Sequence, residues 1–346
     1  MLKKILFKLQ VFFETTKSLI VRALVVILII CFIGAIIHNV LKMSEISSNY
    51  TGDYKKLISI DDNKMMNVYD TGMGSKTIVI LPGFGSQSPI IQYKTLVEGL
   101  NDSYRVIVLE YYGYGYSMNN KEKERSNTVI ANEINTALNT LGVDKCVLLA
   151  HSISNLYASK YASLYPDKVE AVISLDGIYP SEIQNSYLKQ NYQDQVKNTK
   201  ITGILELTGF ARVLSYIKPD IFYIDVMREN SIYTDADIKV YRNRIGSSYL
   251  TTTMIKEISK LEENMNELAT YKYSDYLPVL QILSKERVKE YDEMKTQTNK
   301  SLNEFAKDMV SNPSIQTSIE IDGDHMLQLT ATEETLSSIN NFLTTF

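Results

Sequence analysis

Residues 145–161 read Lys145-Cys146-Val147-Leu148-Leu149-Ala150-His151-Ser152-Ile153-Ser154-Asn155-Leu156-Tyr157-Ala158-Ser159-Lys160-Tyr161. Cys146 to Leu149 form a short apolar run of the kind that fills a buried strand. Two small residues, Ala150 and Ser154, then bracket Ser152, and a helix-like stretch follows. The pattern predicts a strand, a sharp turn and a helix, with the Ser152 hydroxyl at the apex. A serine is a weak nucleophile unless a turn exposes its oxygen, a base takes its proton and backbone donors receive the oxyanion. Small residues two before and two after it let such a turn form without side-chain collision.

Working outward, Lys76 to Ser86 reads as a continuous apolar strand ending in the glycine turn Pro82-Gly83-Phe84-Gly85. Two-sided apolar strands belong in the middle of a parallel sheet. Tyr104 to Glu110 is a second such strand, followed by Tyr111-Tyr112-Gly113-Tyr114-Gly115-Tyr116-Ser117. Thr128 to Leu141 has a helical apolar period, stopped by Gly142. Before these, Lys55 to Ile60 and Met65 to Asp70 read as two antiparallel strands with a turn at Asp61-Asp62-Asn63. After the helix that follows Ser152, Val169 to Asp176 is one more strand. From Gly177 to Tyr276 the alternation stops, and helical patterns such as Ile201–Leu214 and Tyr249–Leu268 take over. Strands resume at Leu277–Ser284 and Ser314–Ile321, and Glu333–Phe346 reads as a closing helix. Alternating strands and helices predict an α/β architecture with a mostly parallel sheet flanked by helices.

The small-x-Ser-x-small turn resembles the nucleophile elbow of the α/β-hydrolase family, with Ala150 and Ser154 in the places of its usual glycines. The Pro82-Gly83-Phe84 turn resembles that family's oxyanion loop. Glu110 with Gly113, Gly115 and Ser117 is similar to its Asp-x-x-Gly-x-Gly-x-Ser loop, whose role is structural. The resemblance covers residues from about 55 to 346. It implies a core over 54–178 and 277–346, and a helical cap over 179–276 inserted between late strands. Phe210, Leu214, Tyr216, Ile217, Phe222 and Tyr223 suggest an apolar pocket in that cap. For the oxyanion hole it implies the backbone N–H groups of Phe84 and Ile153.

The chain has three histidines. His38 falls in an apolar segment, and the turn aims the His151 ring away from the neighbouring hydroxyl. That leaves His325, in the loop Asp322-Gly323-Asp324-His325-Met326 after the last strand, where the family places its base. The acid must lie between Ser152 and His325 in this chain order. Asp176, at the end of its strand, is the preferred candidate, and Glu286, in Lys285-Glu286-Arg287 after the next strand, is the alternative.

The resemblance therefore implies a serine hydrolase, carboxylesterase- or lipase-like, that cleaves a carboxylic ester or related acyl bond through an acyl-enzyme. Acyltransferase and peptidase chemistry use the same triad, and a non-catalytic ligand-binding protein on the same scaffold is the other class of reading. A serine at the elbow argues against dehalogenase and epoxide-hydrolase chemistry, which places an aspartate there. No cofactor or metal is expected, since no Cys/His cluster has ligand spacing. The partner expected is a small-molecule acyl substrate. A net charge of −4 leaves no basic footprint for nucleic acid.

The first residues differ from the rest. Lys3, Lys4, Lys8 and Lys17 make 1–18 a positively charged segment, and the apolar window 19–41 is long enough to cross a bilayer as a helix. A retained anchor is the preferred reading, ahead of a cleaved signal peptide and a soluble core helix, because no small-x-small cleavage site follows Ile37. The flanking lysines predict a cell-membrane protein with its N-terminus inside and its larger part outside. Residues 42–53 read as a polar linker. Cys31 and Cys146 are not expected to pair.

Overall fold

The computed structural model describes residues 4–5, 7–8, 10–11, 19–47, 54–61, 64–120 and 124–346. Among the described residues eight strands form one sheet: β1 (Leu57–Asp61), β2 (Lys64–Thr71), β3 (Thr77–Leu81), β4 (Arg105–Glu110), β5 (Cys146–His151), β6 (Val169–Leu175), β7 (Val279–Ser284) and β8 (Gln316–Ile321). Their order is β1-β2-β4-β3-β5-β6-β7-β8. Only β1 with β2 and β2 with β4 pair antiparallel; β4 to β8 run parallel. The turn expected at Asp61-Asp62-Asn63 lies partly outside the described residues.

β3 and β5 are buried along their whole length, which is why their sequences are apolar without alternation. Their side chains still divide between two layers. Val79, Leu81 and Leu148 pack under α3 (Asn127–Thr140) and α4 (Ser154–Leu164). Ile78, Ile80, Val147 and Leu149 face α2 (Lys94–Leu100) and α12 (Thr332–Leu343). The sheet is thus sandwiched between helices. β3 has β4 on one side and β5 on the other, so the chain reverses its direction of travel across the sheet there. Ligand crevices open outside the carboxyl ends of strands at such a reversal.

Between β6 and β7 the insertion is helical: α5 (Ser186–Glu206), α6 (Phe210–Ile217), α7 (Asp235–Ser248), α8 (Thr252–Ser259) and α9 (Leu261–Leu268), with shorter turns between. The expected continuous helix over Ile201–Leu214 is broken, because Gly209 takes φ 78°, a left-handed conformation that ends one helix and caps the next. The helix expected over Tyr249–Leu268 is likewise two, α8 and α9. The segment 285–313, which shows no strong period, contains α10 (Lys285–Glu293) and α11 (Leu302–Asp308).

The N-terminal helix α1 runs from Leu19 to Ser47, past the expected end at residue 41. The linker expected over 42–53 is therefore helical to Ser47, and 48–53 lie outside the described residues. Of the charged segment 1–18, residues 4–5, 7–8 and 10–11 are described, and all are helical. The apolar pocket expected in the insertion is corrected in part: Phe222 is buried, but Phe210, Tyr216 and Ile217 are exposed.

Candidate active site

Three loops at the carboxyl edge of the sheet bring Ser152, Asp176 and His325 together. Ser152 follows β5 with φ 57°, a conformation costly for a residue with a Cβ, and its N–H is held by the Leu175 carbonyl at 3.1 Å. Its Oγ lies 3.0 Å from His325 Nε2. His325 Nδ1 lies 2.6 Å from Asp176 Oδ2. A carboxylate can only accept, so Nδ1 carries the proton and Nε2 is left to accept from the serine. Of the two acids kept open by the sequence, Asp176 is the one beside the histidine. Glu286 lines the cavity in front of Ser152, and among the described residues no hydrogen bond joins its carboxylate to His325.

Asp176 is buried, and burial would raise its pKa, but the Arg287 charge, the contact with His325 and the Ser284 N–H hold it below the usual carboxylate range. The sequence gives little sign of the part Arg287 plays. Its Nη1 donates to the carbonyls of Asp176 at 3.1 Å and Gly177 at 2.7 Å, and its Nη2 reaches Glu182 at 3.3 Å. A cation next to Glu286, where a carboxylate was being sought, was its only signal.

The elbow serine that stands for glycine has a task of its own. The Ser154 hydroxyl donates to the Pro82 carbonyl and lies 2.9 Å from Tyr111 Oη, tying the elbow to the loops after β3 and β4. Glu110 shapes the second of these: its Oε2 accepts from Asn67 at 2.8 Å and from the Tyr116 N–H at 2.6 Å. Gly115 must be glycine, since a Cβ there would stand 1.9 Å from the Glu110 carboxylate.

Phe84 N–H and Ile153 N–H have no acceptor among the described residues. Ile153 follows Ser152 directly in the turn, and Phe84 sits on the β3 loop, where the preceding Gly83 stands against the His151 and Ser152 side chains. The β3 loop is fixed by a directed chain of hydrogen bonds. Gly83 N–H donates to Tyr93 Oη at 3.0 Å, Tyr93 Oη stands 2.7 Å from His151 Nδ1, and His151 Nε2 stands 2.9 Å from the His325 carbonyl. A carbonyl cannot donate, so His151 carries its proton on Nε2 and accepts from Tyr93. Both ring nitrogens are thus engaged elsewhere than at Ser152 Oγ, and the ring supports the backbone of His325. Tyr93 was missed because the helical turns over 89–100 were; Ser88-Pro89 was the available start signal.

Burial lowers the His151 pKa from 6.5 to about 3, with the charge of His325 adding to the effect. Above about 6.5 the ring is neutral whether the chain is folded or not; between 6.5 and about 3 only the unfolded chain takes up the proton. Stability should therefore fall as pH drops through that window, by up to about 1.4 kcal/mol per pH unit from this one group. Denaturant unfolding of the wild type and of His151→Asn at several pH values checks this. The variant should show the shallower dependence, and parallel curves would remove His151 from the account.

In front of Ser152 lies a cavity of about 420 Å³, lined by Leu188, Gln195, Glu286, Arg287 and His325 among others. A second, of about 600 Å³, continues past Phe84 along α5 to Asn198 and Thr202. Asn191 and Gln195 line both. Among the described residues no group of three or more His, Cys, Asp or Glu is arranged to hold a metal ion.

With this geometry in view, comparison with known proteins shows that the chain has the α/β-hydrolase fold, and the family model for the alpha/beta hydrolase fold matches residues 76–203. Among individual relatives, an uncharacterised protein of Bacillus subtilis strain 168 is 26% identical over 221 residues, covering 63% of this chain and 65% of that one. A 2-hydroxy-6-oxononadienedioate/2-hydroxy-6-oxononatrienedioate hydrolase of Paraburkholderia phymatum is 26% identical over 129 residues, covering 37% and 45%. The chain thus spans less than two thirds of the length of these curated relatives. The crystal structure of an epoxide hydrolase from Vigna radiata superposes with a TM-score of 0.63 at 16% identity, over 85% of this chain and 99% of that one.

Proposed function

We propose that the protein is a membrane-anchored serine hydrolase that cleaves a carboxylic ester or related acyl bond. The observation that carries this reading is the line of contacts from Ser152 Oγ through His325 to the buried Asp176 carboxylate. As Ser152 Oγ bonds to the carbonyl carbon, its proton passes to His325 Nε2. The negative charge on the carbonyl oxygen is received by Phe84 N–H and Ile153 N–H. His325 then protonates the departing alkoxide as the carbon–oxygen bond breaks, leaving the acyl group on Ser152. Water repeats the sequence with His325 as base, releasing the acid and restoring the serine. Asp176 keeps the histidine in the required tautomer and balances its transient charge. The helical insertion, whose α5 lines both cavities, serves as the cap that shapes the pocket.

The anchor reading is supported by α1: the window Val21–Met43 has a mean hydropathy of 2.8, and little of it is buried in the rest of the protein. The positive residues before it favour an inside N-terminus. Protease added to intact cells should then trim the hydrolase domain, and full protection would put that domain inside.

The function is tested with the full chain in detergent or nanodiscs, using a serine-directed fluorophosphonate and p-nitrophenyl esters of graded chain length. Labelling together with turnover is expected. A folded protein that neither labels nor turns over any ester would favour a binding role for the cavity.

A further inference from the structure

The face of the insertion beside α1 is apolar and uncovered. On α6, Phe210, Val213 and Ile217 form a stripe at helical spacing, continued at the end of α5 by Ile204 and across the connection by Leu207. These five are between 46% and 69% exposed, while the opposite side of α6 buries Ala211 and Ser215. A stripe of this size on a soluble surface marks something that covers it.

The position of α1 identifies the cover. Cys31, Gly34, Ala35, His38 and Lys42 recur every three or four residues and are the shielded side of the helix, whereas Ile33, Ile36, Ile37 and Val40 are exposed. Gly34 lets the helix approach closely: a Cβ there would stand 3.1 Å from the Thr208 carbonyl oxygen, and the His38 side chain packs on Gly209. The insertion thus meets α1 at Gly34, inside the apolar window Val21–Met43 and not beyond its end. From Val21 to Gly34 a helix rises only about 20 Å, whereas the hydrocarbon layer is about 30 Å thick. A spanning α1 therefore carries the turn at Thr208–Gly209 to the level of the acyl chains, together with the stripe on either side of it.

We propose that the stripe Ile204, Leu207, Phe210, Val213 and Ile217 is embedded in the lipid bilayer beside α1, docking the cap on the membrane. This rests on the reading of α1 as an anchor. Its consequence concerns the substrate. α5 runs from Leu188 and Asn191, in front of Ser152, to Thr202, where the second cavity reaches the apolar end of that helix. The groove to the serine then opens at the lipid surface, where Asn191, Gln195, Asn198 and Thr202 offer hydrogen-bonding groups to the polar part of an amphiphile. The acyl substrate class that fits is one that partitions into the membrane.

The test uses the full chain in nanodiscs with Cys31→Ser to remove the half-buried thiol on α1; Cys146 is buried. A polarity-sensitive NBD label is placed singly at Phe210→Cys, Ile217→Cys, Leu24→Cys on α1, and Met73→Cys, an exposed residue before β3 at the opposite edge of the sheet. Doxyl-labelled phospholipid should quench and blue-shifted emission should mark Phe210→Cys, Ile217→Cys and Leu24→Cys, while Met73→Cys stays quenchable by aqueous iodide. Quenching at Leu24→Cys without quenching at positions 210 and 217 overturns the docking and leaves the anchor standing. If those two positions are also shielded from iodide, a protein surface covers the stripe instead. No lipid quenching at Leu24→Cys overturns the anchor and the docking with it.

Discussion

Replacing Ser152 by alanine should abolish fluorophosphonate labelling and lower ester turnover by about 10⁴- to 10⁶-fold, leaving the fold intact. The size follows from the role: the variant has no atom to carry the acyl group, and residual catalysis would come only from the oxyanion donors and from binding. Alanine also relieves nothing that matters to folding, since the backbone at 152 is held at both peptide groups. Its N–H is bound by the Leu175 carbonyl and its carbonyl accepts from Ile178 N–H at 3.1 Å. Thermal unfolding of the variant near or above the wild-type midpoint would show that the loss is chemical. Turnover retained within tenfold would mean that the hydrolysed bond never meets Ser152.

The second large effect belongs to the acid. Asp176→Asn should cost roughly 10⁴-fold in kcat, because an amide facing His325 Nδ1 can present N–H as well as oxygen and permits the wrong tautomer. Glu286→Gln should stay within a few-fold, since its carboxylate lines the cavity without reaching the histidine. The comparison is informative because both acids lie near Arg287 and both substitutions remove one negative charge there. A general electrostatic contribution would lower the two alike, whereas a contact with the imidazole separates them. Asp176→Asn also leaves Arg287, whose guanidinium lies 3.9 Å from Asp176 Oδ1, with Glu182 as its remaining carboxylate partner. Unfolding measurements should therefore accompany the kinetics.

Much of the fold was legible because its central strands are buried on both sides. Ile78 to Leu81 and Cys146 to Leu149 could hardly be anything but interior strands, and their ends moved by a residue or so when seen in three dimensions. The helices of the insertion were harder. Their apolar residues do not all face inward, so periodicity joined α5 to α6 across Gly209 and suggested a lined pocket where Phe210, Tyr216 and Ile217 in fact point outward. Amphipathic patterning assumes that the apolar side is the buried side, and the stripe on α6 does not obey it.

The site was legible where chain order and strand ends suffice. Ser152, Asp176 and His325 each follow a strand, and the ends of parallel strands converge. What the sequence could not decide was Asp176 against Glu286, because β6 and β7 pair in parallel and both exits open at the same edge of the sheet. Tyr93, His151 and Arg287 were invisible as a support for a further reason. Each acts on the backbone of another loop, through carbonyls and amides that every residue possesses and that leave no mark in the sequence.

That support gives adjacent amides separate duties. Gly83 N–H donates to Tyr93 Oη, which fixes the Pro82–Gly83 peptide, and the Gly83 carbonyl accepts from Ser86 N–H at 3.4 Å, which restrains the next peptide, the one that carries the Phe84 N–H. Because every proton in the chain from Gly83 to the His325 carbonyl points the same way, the arrangement has no mirror state to which it could flip. The backbone on either side of Gly83 is thus set in place while the polypeptide folds, before any ligand enters the cavity.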